Sequence, residues 1–240
     1  MNTEPVAILV SSHDEFKDIW PIWDKCFDRF WPDCPYKIYW MTNGAETPVA
    51  TIPVHVPKIP REQWGLNIAK ALESVEEEYI IHWIEEVIPL SPINTDVIDK
   101  MRATLAVTQD VAAINLARYY HWPEMQQEDF AEISRESQFP SVSAMPSLIR
   151  KEILMKLLKE RPVPNEYEQN VTKDFNRLYP DMKVLCPTFP MFKFCDNLLQ
   201  FGKWRRCAVQ HMVALGLTHL MDASRGAVED ECAWMNGSGP

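Results

Sequence analysis

Glycine is scarce in this chain, with seven residues in 240 against 19 prolines. That excludes flexible glycine-rich linkers and favours stiff connections. Cysteine has no Cys-x-x-Cys pair. The six stand at positions 26, 34, 186, 195, 207 and 232, without the spacing of a zinc site or the density of a disulfide scaffold, which fits a reducing compartment. No apolar run approaches 18 residues, so no membrane span is expected. The first residues, MNTEPVAILVSSHDEF, carry no positive leader and only a short apolar run. They do not read as a signal peptide, and a cytoplasmic location is expected. Positive charge is in deficit: 24 Lys and Arg against 34 Asp and Glu, a net charge of −10. This disfavours nonspecific nucleic-acid binding and leaves DNA as a partner only through a local basic patch.

What is present suits one domain over residues 1–235, with residues 236–240 a flexible tail or expression scar. Hydrophobic residues make up 46% of the chain, enough for a sizeable core. Apolar runs at 6–10, 36–41, 79–84, 111–117 and 182–186 read as strands. Residues 51–56 read as an edge strand, because Pro53 cannot donate to a ladder. Helical spacing covers 15–30 and 63–75, then 95–107 with Thr95 as N-cap. Further helices are expected over 146–159 with Pro146 at the first position, 166–179 and 203–214, the last ended by Gly216. Residues 118–145 are polar and aromatic, with short strands near 130–134 and 141–144. Strands alternating with helices predict an α/β fold with a mostly parallel central sheet flanked by helices.

The most informative stretch is Tyr79-Ile80-Ile81-His82-Trp83-Ile84 followed by Glu85-Glu86. A strand buried on both faces delivers two carboxylates to its C-terminal edge, where open α/β sheets bind ligands. Adjacent carboxylates repel, and a divalent cation bridging a diphosphate is one answer. The competing reading is a pair of acids that favour the next helix N-terminus. His82 reads as a core histidine.

Four ordered stretches together resemble bacterial and viral glycosyltransferases of the GT-A fold. They are Val10-Ser11-Ser12-His13-Asp14 with Asp18-Ile19-Trp20 and residues 31–39; Trp64-Gly65 with Ala71-Leu72, Glu78-Tyr79-Ile80 and Glu85-Glu86; Pro146 to Glu152 with Leu157-Leu158 and residues 164–168; and Gly202-Lys203-Trp204 with Leu215-Gly216-Leu217 and Arg225-Gly226. The resemblance implies a GT-A-like single domain and a nucleotide-sugar donor. It also implies a divalent metal, Mn²⁺ or Mg²⁺, at a DXD-like site formed by Glu86 and Glu85. A sugar or other hydroxyl acceptor follows, a surface glycan being the expected class and a hexosyl- or pentosyltransferase the expected enzyme. The sequence departs from the family in having Glu85-Glu86 where Asp is usual and Asn165 where Trp is common.

Transfer to a hydroxyl needs a base on the far face of the sugar. Glu168, matching the last acid of the family's motif, is the first candidate and Glu166 the second; the alternative is that both complement a helix N-terminus. Ser11, Ser12 and His13 are candidate base or ribose contacts, or a cap to the next helix, a role Asp14 can also fill. Thr42 and Asn43 either close over the nucleoside or form a turn. Trp64 either stacks on a base or packs its helix. Lys203, with Arg205 and Arg206, is a candidate diphosphate contact or a solvated face, and Arg150 and Lys151 are weaker candidates of the same kind. Two other readings remain open: a viral enzyme glycosylating a modified base in DNA, and a non-catalytic nucleotide- or glycan-binding GT-A domain.

Overall fold

The first strand, β1 (Val6–Ser11), is buried at every residue. A VAIL run is accommodated this way only inside a sheet covered on both faces. The computed structural model describes residues 5–48, 50–58, 60, 63–117, 129–135, 145–160, 162–188, 191–195 and 197–228. β2 (Lys37–Thr42) lies parallel to one side of β1 and carries β3 (Ile52–His55) outside it, also parallel. β4 (Tyr79–Ile84) lies parallel on the other side. After the short β5 (Ile88–Pro89), the sheet continues with β6 (Val111–Asn115), β7 (Phe130–Glu132), β8 (Ser147–Arg150) and β9 (Lys183–Pro187). The eight-stranded order is β3-β2-β1-β4-β8-β6-β9-β7. Only β8 and β7 run against the rest. The α/β fold with a mostly parallel central sheet is therefore as expected, and Pro53 does lie on the edge strand.

Among the described residues six α-helices cover the faces: α1 (Trp20–Phe30), α2 (Trp64–Leu72), α3 (Thr95–Val107), α4 (Lys151–Glu160), α5 (Pro164–Leu178) and α6 (Arg206–Leu215). Side chains alternate along a strand, so β1 feeds two cores. Val6, Ile8 and Val10 pack with α1, α3 and α6, while Ala7 and Leu9 pack with α2, α4 and α5. The first core is rich in tryptophan: Trp23 lies edge-on to Trp40 and Trp83, with centroids 4.9 and 6.0 Å away. A smaller layer follows β9. β10 (Phe194–Cys195) pairs with β5, and β11 (Leu199–Gln200), β12 (Lys203–Arg205) and β13 (Ala227–Val228) form a three-stranded sheet. Among the described residues no helix is long and apolar enough to cross a membrane.

The structure corrects several element expectations. The segment from Pro146 does not open a helix; Ser147–Arg150 is β8, and the helix begins at Lys151. Lys203–Arg205 is likewise a strand ahead of α6. The helix expected over 15–30 is a 3-10 turn at Asp14–Phe16 followed by α1. Pro21 is tolerated in a helix's first turn and not within it. Asn94, not Thr95, caps α3, accepting from the Asp96 amide at 2.9 Å. Thr95 instead accepts the Trp31 indole N–H at 2.9 Å. The strand expected near 141–144 lies outside the described residues. Cys26 and Cys34 are free thiols, whereas Cys207 is disulfide-bonded.

Candidate functional site

The carboxyl ends of β1, β2 and β4 meet at one edge of the sheet. Ser11 is in register with Ile84, so Ser12 and Glu85 leave the sheet side by side. The Ser12 hydroxyl accepts the Trp20 indole N–H at 2.7 Å and bonds the Glu85 carboxyl. Glu85 is only 6% exposed. Desolvation first, and the neighbouring Glu86 charge second, push its carboxyl well above the usual carboxylate range; its own backbone amide and Ser12 offset this only in part. Glu86 is half-buried, and its carbonyl accepts from the Leu198 amide at 2.9 Å. One acid of the pair thus turns inward while the other retains exposure.

Ser11 is bonded to His82 Nε2 at 2.8 Å. His82 Nδ1 is buried without a partner, and burial drops the imidazole to about 4. The ring is neutral, a core histidine satisfied on one side only.

His13 caps the 3-10 turn by accepting from the Glu15 amide at 3.3 Å. Asp14 is thereby spared the capping role and reaches across to the loop after β2. Its carboxylate accepts from Thr42 Oγ1 and the Asn43 amide, each at 2.7 Å, and from the Ala45 amide at 2.9 Å. Burial raises its pKa, but the Thr42 hydroxyl and these amides outweigh that and hold it below the usual range. Thr42 is fully buried, and Asn43 donates to the carbonyls of Val56 and Pro57 at 3.3 and 3.4 Å. Both side chains shape the loop that Asp14 clasps. A cleft of about 490 Å³, lined by Gly44, Ala45, Glu46, Thr47, Pro53 and His55, opens beside this loop.

Trp64 is half-buried at the start of α2, edge-on to Tyr167 of α5 at 5.6 Å. The Gly65 amide donates to the Pro162 carbonyl at 2.8 Å. These contacts join the first turns of α2 and α5, so Glu166 and Glu168 belong to the turn beside Trp64; their side chains lie outside the described ones. Lys203 is exposed on β12. Arg150 and Lys151 lie at the opposite edge of the sheet. Arg150 donates to the carbonyls of Val111, Leu105 and Thr108 at 3.0, 2.6 and 3.2 Å, and Lys151 to that of Val75 at 2.6 Å. Both pin backbone and stand away from Ser11 and Glu86.

One connection at this edge was not legible in the sequence. Arg225 forks onto Asp18 with contacts of 2.5 and 2.6 Å and donates to the carbonyls of Glu15 and Gly202 at 3.3 and 3.2 Å. It also feels the charge of Glu86. Asp18 and Arg225-Gly226 both stand in stretches that carry the resemblance, but nothing in the sequence pairs positions 207 apart. Among the described residues, no cluster of three or more His, Cys, Asp and Glu side chains is placed to hold a metal.

Comparison with known proteins adds the fold. No protein-family model matches the sequence, and no curated protein matches it. Solved structures do. The crystal structure of Staphylococcus aureus TarS superposes with a TM-score of 0.51 at 10% identity, over 78% of this chain and 36% of that one. The structure of its residues 1–349 gives a TM-score of 0.50 at 12% identity, over 78% and 59%. The chain therefore spans about a third of TarS and under two thirds of the shorter form.

Proposed function

We propose that the chain is a GT-A-type glycosyltransferase that moves a sugar from a nucleotide-sugar donor to a hydroxyl acceptor. The observation that carries this reading is the meeting of the β1, β2 and β4 carboxyl ends, with Glu85-Glu86 beside Ser11, Ser12 and the Asp14 clasp. The fold likeness to the glycosyltransferase TarS supports it. The nucleoside sits at the clasped loop and Asn43, with Trp64 at the rim and Lys203 toward the phosphates.

Glu86 is the side chain that would hold a divalent cation, with Glu85 behind it. The fit rests on chemistry: burial first and Glu86's charge second hold Glu85 toward its neutral form, and a cation held by Glu86 would offset the repulsion between the two carboxylates. When bound, such a cation stabilises charge developing on the leaving diphosphate. Glu168, with Glu166 as second choice, takes the proton from the acceptor hydroxyl in a single inverting displacement. A surface glycan is the acceptor class and a cytoplasmic location is part of the proposal.

A thermal-shift screen of nucleotide sugars, with and without Mn²⁺, tests the reading, because a ligand bound only by the folded state raises its stability. Stabilisation by one donor together with its slow hydrolysis supports the enzyme. Stabilisation without hydrolysis or transfer identifies a non-catalytic binding domain, a reading favoured by the inward turn of Glu85. No response to any donor overturns both.

A further inference from the structure

The hairpin joining β11 to β12 carries a feature that packing does not explain. Leu199 pairs with Trp204 and Gln200 with Lys203, leaving Phe201-Gly202 as a two-residue turn. Both turn residues have positive φ, 50° at Phe201 and 75° at Gly202. Such turns favour Asn or Asp followed by Gly, since an ordinary L side chain is strained at positive φ. Here the first position holds phenylalanine, and its side chain is not tucked against the core: Phe201 is 93% exposed. The chain thus places a large apolar ring in an unfavourable backbone conformation and an unfavourable solvent environment at once. Strain of this kind is retained where the surroundings hold it in place.

The hairpin is also aimed. At its base, the Leu198 amide donates to the Glu86 carbonyl and the Arg205 amide to the Leu198 carbonyl. At its turn, the Gly202 carbonyl accepts from Arg225, which grips Asp18 and the Glu15 carbonyl in the loop after β1. The ring is therefore carried on a support tied at both ends to the segments that follow β1 and β4. Lys203, also exposed, stands two residues on.

We propose that Phe201 is a platform for a sugar ring of the acceptor. The inference rests on the glycosyltransferase reading and names the chemistry of its acceptor side. An open aromatic face with negative quadrupole matches the face of a pyranose, whose C–H bonds carry partial positive charge. Its hydroxyl rim remains open to water and to polar groups of the cleft. A nucleobase is a poorer fit, because a ring this exposed offers one face and no slot. A lipid surface is disfavoured by the net charge of −10 and by a single ring being too little to anchor a chain.

The test uses the full chain labelled with 4-fluorophenylalanine. Its ten phenylalanines give separate ¹⁹F signals, and Phe201→Asn identifies that of Phe201. Asn tolerates the left-handed turn, so this variant folds. Mono- to trisaccharides of glucose, galactose, mannose, N-acetylglucosamine and rhamnose are titrated singly. The expected result is a saturable shift of the Phe201 signal with at least one of them. Its affinity falls at least tenfold in Phe201→Asn and is retained in Phe201→Tyr, with donor-induced thermal stabilisation equal in all three proteins. No shift with any sugar, or equal affinity in Phe201→Asn, overturns the proposal. So does Phe201-dependent sedimentation with phosphatidylcholine–phosphatidylglycerol vesicles. Donor stabilisation and hydrolysis, read on the same samples, report on the donor reading separately.

Discussion

Glu85 and His82 are buried titratable groups near one edge of the sheet, and their effects on stability have opposite signs. His82 sits at about 4 in the folded chain against an ordinary 6.5, so the unfolded chain binds its proton first. Stability from the neutral ring is complete above pH 6.5 and is lost as pH falls toward 4, by roughly 3 kcal/mol for a shift of this size. Glu85 is raised above 4.5, so the folded chain holds the proton longer than the unfolded one. Its contribution is complete below pH 4.5 and is lost as pH rises through its folded value. Glu85→Gln, a neutral isostere, is therefore expected to raise the melting temperature relative to wild type at pH 8 and to lose that advantage near pH 4.5. A constant difference across this range would mean that Glu85 is ionised in the folded state. The acids of α5 give a kinetic prediction. If Glu168 is the base, Glu168→Gln keeps donor binding and loses transfer by about a hundredfold to ten-thousandfold, with Glu166→Gln costing less. The reverse ranking moves the base to Glu166. At this scale the acid pair was legible because a buried run ends in it. That one acid turns inward to Ser12 was not, since sequence does not tell which neighbour will claim a carboxylate.

At the scale of elements, long periodic segments were legible and their first turns were not. α3 was readable across its whole span, and β1, β2 and β4 to within a residue. β8 and β12 were missed for one reason. Each is a short strand continuous with the helix after it: Ser147–Arg150 runs into α4 and Lys203–Arg205 into α6. Apolar residues at helical spacing extend backwards through both, and only pairing partners distant in sequence decide the boundary: Ile80 and Ala113 for Ile149, Leu199 for Trp204. The three-stranded sheet carries its own prediction. Arg225 and Asp18 are mostly buried, with side-chain exposures of 17% and 26%, and removing a charged hydrogen-bond partner costs about 1.5–3 kcal/mol. Arg225→Met is expected to destabilise the chain by that order. Hydrogen exchange should accelerate first at the Trp204 and Arg205 amides, which bond the Gly226 and Leu198 carbonyls. Acceleration spread equally into β1 and β4 would show that the small sheet is part of the main cooperative unit.

For the whole molecule, two cores divided by one sheet follow from alternation in strands buried on both faces, which is why the fold class was readable while the strand order past β4 was not. Charge acts at this scale too, and it separates the surface-glycan reading from the DNA-modifying one. Lys203, Arg205 and Arg206 gather three basic residues on one segment, but Arg205 is half-buried, and the chain around them carries −10. Proteins that hold duplex DNA through several phosphate contacts release counterions, so their affinity falls steeply with salt, with a slope near −0.9 per contact. Three basic residues set against that background charge are expected to give no measurable binding to a 30-base-pair duplex, with or without hydroxymethylated pyrimidines, at 100 mM salt. Fluorescence anisotropy at 50, 100 and 200 mM salt measures it. Micromolar affinity at 100 mM with a slope of about −3 or steeper would mean that the local cluster overrides the net charge, and the acceptor would then be a modified base. A flat, absent signal in a protein that is stabilised by a nucleotide sugar leaves the acceptor among uncharged or weakly charged hydroxyl compounds.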